Sequence, residues 1–238
     1  MEIYYFKSVP STNTTLLEMS KKGAKSWSVC WTSHQTQGRG YADNEWKTVG
    51  EKNLAVSVLI KSELNHLELI YFNQWICNVI CQFLTRFSDE VFVKWPNDII
   101  IRNKKVCGIL IETYKSDSQL NIVFGIGLNV NQIDFSGLPK AGSLSTKTGK
   151  EYNLQEILSG LLTELENSYI EIENKEWVHI SSTYNQQLFR KNLVSKFLEK
   201  NIEFEGIIKG VNAHGQLMVE NSDGKIVCYR HKEIELLY

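Results

Sequence analysis

The sequence predicts an α+β fold in two parts: a larger part that mixes strands with long amphipathic helices, and a small all-β tail. Three observations carry this. Apolar residues recur at helical spacing over residues 67–87 and again over 154–172, the periodicity of a helix that buries one face. Between those helices lie short runs rich in Val and Ile at 91–93, 99–101, 106–111 and 121–128, which is strand chemistry. After Arg190 the helical period is lost. Runs at 202–211, 216–220, 226–229 and 234–237 then alternate with turn clusters at 212–215 and 221–224, as in an antiparallel meander or small barrel. The expected division is 1–190 and 191–238. At 238 residues and 42% hydrophobic content, the chain suits one large core with a small appendage.

Taken in order, residues 3–6 form a short β-rich run. Ser11-Thr12-Asn13 then supplies N-cap side chains before Leu16, Leu17 and Met19, so a helix is expected to about Lys22. Residues 27–32 and 54–60 read as strands, the second alternating apolar with small or polar residues. Between them, residues 36–52 carry no periodicity, and loops of that length in compact domains are commonly functional. Asn103-Lys104 separates two strand runs as a hairpin turn does, and a third helix is expected over 177–188.

Composition narrows the function. A net charge of −1 gives no general electrostatic case for nucleic acid or an anionic membrane as partner. No apolar run reaches the length of a membrane span, and the first residues lack the pattern of a signal peptide. Five cysteines, an odd number in mostly apolar surroundings, read as reduced core residues of a cytoplasmic protein. Cys77 and Cys81 share a helical face, but no nearby residue completes a metal set.

Four segments carry chemistry. Ser11-Thr12-Asn13 alone is an ordinary helix cap. Gln35-Thr36-Gln37-Gly38-Arg39-Gly40, followed by Trp46, joins backbone that a ligand can approach closely to a planar cation and an aromatic face. Lys94-Trp95-Pro96-Asn97-Asp98 ends a strand and exposes a carboxylate. One hairpin away, Lys105 opens the stretch Lys105-Val106-Cys107-Gly108-Ile109-Leu110-Ile111-Glu112. An aspartate that can hold Mg²⁺ beside lysines that can hold phosphate suits nucleotide chemistry. Gly125-Ile126-Gly127-Leu128-Asn129 closes a strand.

In this order the four segments resemble the catalytic domain of the biotin protein ligases. That family carries a Ser-Thr-Asn start, a Gly-Arg-Gly loop ending in Trp, Lys-Trp-Pro-Asn-Asp, Lys-x-x-Gly-Ile-Leu-x-Glu and Gly-x-Gly-x-Asn. The tail, notably Phe204-Glu205-Gly206 and Asp223-Gly224, resembles the family's SH3-like C-terminal domain, so the likeness spans residues 3–238. It implies a mixed β-sheet flanked by helices, of the class II synthetase-like kind, and a small SH3-like barrel. It also implies a chain without the N-terminal helix-turn-helix that some members use to repress transcription.

The implied activity is ATP- and Mg²⁺-dependent conversion of biotin to biotinyl-5′-AMP, then transfer to one lysine of the biotin carboxyl carrier protein domain of a carboxylase. By motif, Arg39, Lys105 and Asp98 would be catalytic. Ser11, Thr12, Asn13, Gln35, Gly38, Arg39, Gly40, Tyr41, Lys105 and Gly108 would bind biotin, with Ser11, Thr12 and Gln35 on its ureido ring. Arg39, Trp46, Lys94, Asn97, Asp98 and Asn129 would face ATP, and Asp98 the Mg²⁺. Trp95 is expected to pack in the core, and Glu112 reads equally as an orienting or a structural residue. The resemblance leaves a homodimer through the catalytic sheet open. After Gly40 the chain departs from the pattern: Tyr41-Ala42-Asp43-Asn44-Glu45 adds acids and no base. Retention of the adenylate is therefore expected to rest on loop ordering and stacking.

Two matches mislead. Gly142 to Lys150 looks like a P-loop, but its spacing is wrong and Glu151 stands where Ser or Thr should be. Gly125-x-Gly127 lacks the third glycine of a dinucleotide fingerprint. His34 is expected mainly to pack. The rival readings are a lipoate or octanoate ligase of related fold and a non-catalytic biotin-binding module.

Overall fold

The computed structural model describes residues 1–40, 45–47, 50–116 and 119–238. Its elements run β1 (Glu2–Tyr5), α1 (Thr12–Lys21), β2 (Ser28–Thr32), β3 (Asn53–Ser62), α2 (Leu69–Leu84), β4 (Val91–Lys94), β5 (Asp98–Ile101), β6 (Lys104–Ser116) and β7 (Gln119–Asn129). Then come α3 (Leu144–Thr148), α4 (Leu154–Ser168), α5 (Ile170–Glu173), α6 (Trp177–Gln186), β8 (Val194–Glu199), β9 (Ile202–Val211), β10 (Leu217–Asn221), β11 (Ile226–Tyr229) and β12 (Glu235–Leu237).

The larger sheet has the spatial order β1-β2-β3-β7-β6-β5-β4. β1 and β2 pair in parallel and the remaining pairs are antiparallel, so the sheet is mixed, as the sequence reading expected. Alternation along β3 assigns its faces. Leu54, Val56, Val58 and Ile60 join the main apolar cluster with Phe72, Trp75, Ile76 and Ile80 of α2 and Leu161 and Leu165 of α4. Leu59 packs instead with Leu16 of α1, Cys30 and Val123. One face is thus covered by several helices, while the other carries only α1 and leaves room for a cleft.

The smaller sheet is antiparallel, in the order β11-β10-β9-β8-β12. The link after α6 runs beside β4: Val93 N–H donates to Gln187 O at 2.9 Å, and Phe189 N–H donates to Val93 O at 2.8 Å. The Trp95 indole N–H then donates to Gly215 O at 2.9 Å, tying the turn after β4 to the small sheet. Trp95 is partly buried against the main cluster, in line with the packing expected of it.

Three elements differ from expectation. β8 was not anticipated, because its inward positions are Ser195 and Phe197, and the serine erases the apolar alternation. The helix expected over 154–172 is interrupted at Tyr169, between α4 and α5. β6 extends well past residue 111, because it pairs with β7 out to Ser116. The hairpin between β5 and β6 turns on Arg102 and Asn103, both at positive φ, the geometry that suits tight hairpins. The P-loop look-alike is a one-turn helix, α3, capped by Ser143 and closed by Gly149 at φ 72°. Burial holds the Cys30 thiol up at about 12 and raises Cys77, Cys81 and Cys107 as well, so these act as inert core side chains. Among the described residues no helix is long and apolar enough to cross a membrane.

Candidate active site

The cleft lies on the α1 face of the larger sheet. At its closed end, the start of α1 presents Ser11, Thr12 and Asn13, all buried. Ser11 is the extended N-cap residue and accepts the Thr14 amide. The chain after β2 runs beside Val9 and Pro10, which brings Gln35 against Thr12. Thr12 N–H and Oγ1 donate to Gln35 Oε1 at 2.8 and 3.1 Å.

Asn13 is spent on the protein. Its Nδ2 donates to Leu110 O at 3.2 Å and to Glu112 Oε2 at 2.8 Å, and its Oδ1 accepts from Ser57 Oγ at 2.6 Å. It is a strut joining α1 to β3 and β6, and it lines the cleft without an uncommitted amide atom. A Cβ at Gly125 would collide with this amide, which explains the first glycine of the Gly-x-Gly pair. Arg39 Nη2 donates to Glu112 Oε2 at 2.9 Å and to Thr14 Oγ1 at 3.0 Å. Glu112 therefore takes the orienting role of the two read from sequence.

At the open end, β4 and β5 form the hairpin that carries Lys94 to Asp98, with those two residues in register and a cis peptide at Trp95-Pro96. Asp98 Oδ1 lies 2.6 Å from Lys105 Nζ, and its Oδ2 lies 3.9 Å from Lys94 Nζ. Burial pulls the Lys94 amine below its usual value; Asp98 opposes this, while Lys105 and Lys140 add to it. Lys105 is fixed through its backbone: its N–H donates to Lys140 O at 2.7 Å, and its carbonyl accepts from Gly142 N–H at 3.0 Å.

Asn129 Nδ2 donates to Gly142 O at 3.0 Å, so Asn129 braces the turn that holds Lys105 and lines neither cavity of the cleft. Asn97 donates to Ile109 O at 2.8 Å and lines the open cavity. The Trp46 ring lies over Gly108 and Gly127, where a side chain on Gly127 would strike it, and Lys105 Nζ sits 5.8 Å from its centre. The Trp46 indole nitrogen is buried without a partner.

The cleft thus has two chambers that share Gly40, Trp46, Asp98 and Lys105. The closed one measures about 40 Å³ and the open one about 700 Å³. Ser11, Thr12, Asn13, Gln35, Arg39 and Gly108 line the closed chamber; Lys94 and Asn97 line the open one. Gly38 lines neither. It lets the loop close on itself, accepting the Trp46 amide at 2.9 Å. Tyr41, expected at biotin, lies outside the described residues, as does most of the acidic stretch after Gly40. His34, expected to pack, is exposed. Ser57, fully buried on β3, was missed by the sequence reading; a lone serine inside an apolar strand was the available signal.

Among the described residues no three His, Cys, Asp or Glu side chains converge on a metal position. Asp98 is the single carboxylate here, which fits a Mg²⁺ that takes its other ligands from phosphate and water.

A hydrogen-bonding chamber joined to a cationic one, on a mixed sheet with a small β-domain attached, defines a class of enzyme that activates a carboxylic acid for transfer. A family profile described as the biotin/lipoate A/B protein ligase family matches residues 5–129. The chain belongs to that family. It is 27% identical over 232 residues to the bifunctional ligase/repressor BirA of Escherichia coli, covering 96% of this chain and 72% of that one. It is 26% identical over 221 residues to the biotin–[acetyl-CoA-carboxylase] ligase of Mycobacterium tuberculosis, covering 88% and 80%. Its fold is similar to that of the biotin protein ligase from Aquifex aeolicus, solved with biotin and ATP, with a TM-score of 0.81 at 24% identity and coverage of 99% and 98%.

Proposed function

We propose that this chain is an ATP-dependent biotin protein ligase. It forms biotinyl-5′-AMP and transfers the biotinyl group to a lysine of a biotin carboxyl carrier protein domain. The observation that carries the reading is the continuity of the two chambers: Ser11, Thr12 and Gln35 line one end, and Lys105 and Asp98 stand at the junction with the other. Relatives whose names state biotin ligase activity support it.

The chemistry needs no protein nucleophile. A carboxylate oxygen of biotin attacks the α-phosphorus of ATP, and the bond to the pyrophosphate oxygen breaks. Lys105 offsets the charge that gathers on the α-phosphate, and Arg39 leaves Glu112 to pair with the carboxylate or phosphate. Mg²⁺, held by Asp98 and the nucleotide, would neutralise phosphate charge. In the second half, the neutral amine of the carrier lysine attacks the acyl carbon, AMP leaves, and Asp98 accepts the amine proton. Trp46 packs against the bound adenylate, and Lys94 and Asn97 line the nucleotide side.

The same reading divides the chain at 190/191 into a catalytic and an SH3-like domain and puts it in the cytoplasm, where buried thiols stay reduced. A homodimer would pair through β1, whose Ile3 and Tyr5 are exposed at the edge of the sheet. Biotin is favoured over lipoate because the closed chamber presents hydrogen-bonding side chains suited to a cyclic urea, which a dithiolane cannot use.

Pyrophosphate release with ATP and Mg²⁺, adding biotin or lipoate in turn, tests the reading. Release with biotin alone is expected; release with lipoate alone would move the substrate, and release with neither would leave a binding module.

A further inference from the structure

β3 is apolar through its middle, and Ser57 interrupts it at a position with no exposed surface. A buried hydroxyl costs free energy unless it is bonded, so its partners define its role. Ser57 Oγ lies 2.7 Å from Thr12 Oγ1 and 2.6 Å from Asn13 Oδ1. Asn13 gives its amide hydrogens to Leu110 O and Glu112 Oε2, which fixes its oxygen toward Ser57.

The proton inventory is then closed. Ser57 and Thr12 each have one hydroxyl proton, and the acceptors within reach are Asn13 Oδ1, Gln35 Oε1 and the two hydroxyl oxygens themselves. Whichever neighbour takes the Ser57 proton, the Thr12 proton is consumed inside the network, by Gln35 Oε1 or by Ser57. What Thr12 shows the closed chamber is a lone pair.

We propose that Ser57 is a positioning residue that fixes the Thr12 hydroxyl as a hydrogen-bond acceptor, and that it thereby makes the closed chamber select a ligand edge bearing an N–H. This rests on the biotin ligase reading, in which that edge belongs to the ureido ring. A ligand with an acceptor or a methyl group at that place meets a lone pair it cannot satisfy. Without Ser57, Thr12 is free to rotate and Asn13 Oδ1 loses its donor, so both affinity and discrimination fall.

The test measures pyrophosphate release by the full chain with ATP and Mg²⁺, against biotin and against biotin methylated on a ureido nitrogen. Wild type, Ser57→Ala and Ser57→Cys are compared, with melting temperatures recorded in parallel. Ser57→Ala should raise the KM for biotin by about 10- to 100-fold. The KM for ATP should hold, and the preference for biotin over its methylated form should shrink. Ser57→Cys, of similar size with a weak donor, should recover part of the preference, and it carries the comparison if the alanine variant does not fold. An unchanged preference in the variants, or a KM for ATP that rises in step with that for biotin, would overturn the proposal. Wild type that releases no pyrophosphate with biotin would instead overturn the ligase reading on which it rests.

Discussion

The two chambers of the cleft solve different physical problems. In the closed chamber Thr12, Asn13 and Ser57 are buried and bonded to one another, and Gly125 is kept bare to seat the Asn13 amide. Its donors and acceptors are committed before any ligand arrives. The open chamber is held by charge: Lys94, Lys105 and Asp98 are each about a fifth to a third exposed, and the ion pair between Asp98 and Lys105 is short. A neutral ring that passes unchanged through the reaction is matched by fixed hydrogen bonds. Phosphates whose charge moves during the reaction are matched by cations that solvent can still reach.

The sharpest test of this contrast is Lys105→Ala. It should lower biotin-dependent pyrophosphate release by at least about 100-fold, the scale for removing a group that stabilises transition-state charge, while biotin binding measured by calorimetry weakens far less. Equal losses in both would break the division of labour.

Next in size, Gly125→Ala drives a methyl into the Asn13 amide. The KM for biotin should rise about tenfold or more while the KM for ATP stays put, since overpacking of this kind typically costs roughly 1–3 kcal/mol. A parallel rise in both constants would show that the chambers are not separable.

Glu112→Gln is expected to be milder. It keeps an acceptor for Asn13 but removes the charge that holds Arg39, whose side chain is 48% exposed, and exposed ion pairs contribute about 1 kcal/mol or less. Adenylate formation in single-turnover experiments should change by a few-fold at most. A loss as large as that of Lys105→Ala would place Glu112 in the chemistry.

The smallest effect concerns His231, beside Trp95 at the small sheet. Burial, then Lys232 and Lys94, pull its imidazole below the usual value, and Asp98 opposes them. The unfolded chain therefore binds this proton at higher pH than the folded chain does. Stability from this group is full above about pH 6.5 and declines as pH falls through that value. Melting curves should show that decline, and His231→Gln should flatten it.

Much of the cleft was legible because its chemistry needs rare residues in fixed order. Arg39, Asp98, Lys105 and Thr12 meet where motif reasoning put them together. The sequence did not reveal which motif residues touch only protein. Asn13 and Asn129 read as binding residues, yet their amides are committed to Glu112 and Gly142, partners far away in sequence. Ser57 hid inside a good strand pattern, because periodicity reports burial and says nothing of what a buried hydroxyl touches. β8 was lost for the related reason that Ser195 occupies an inward position. Gly125 and Gly127 were recognisable as a pair, but their separate causes, an amide below one and an indole below the other, exist only in three dimensions.

The indole over Gly108 and Gly127 has a kinetic and an optical consequence. With that ring in place the closed chamber spans about 40 Å³, little more than one water occupies, so a bicyclic ligand enters only as the tryptophan withdraws. Association should then level off at high biotin concentration at the rate of that withdrawal, well under the diffusion limit. The indole nitrogen, buried and unpartnered at rest, should gain solvent or ligand contact on the way. Stopped-flow emission, comparing wild type with Trp46→Phe, would make this residue a built-in clock for ligand capture.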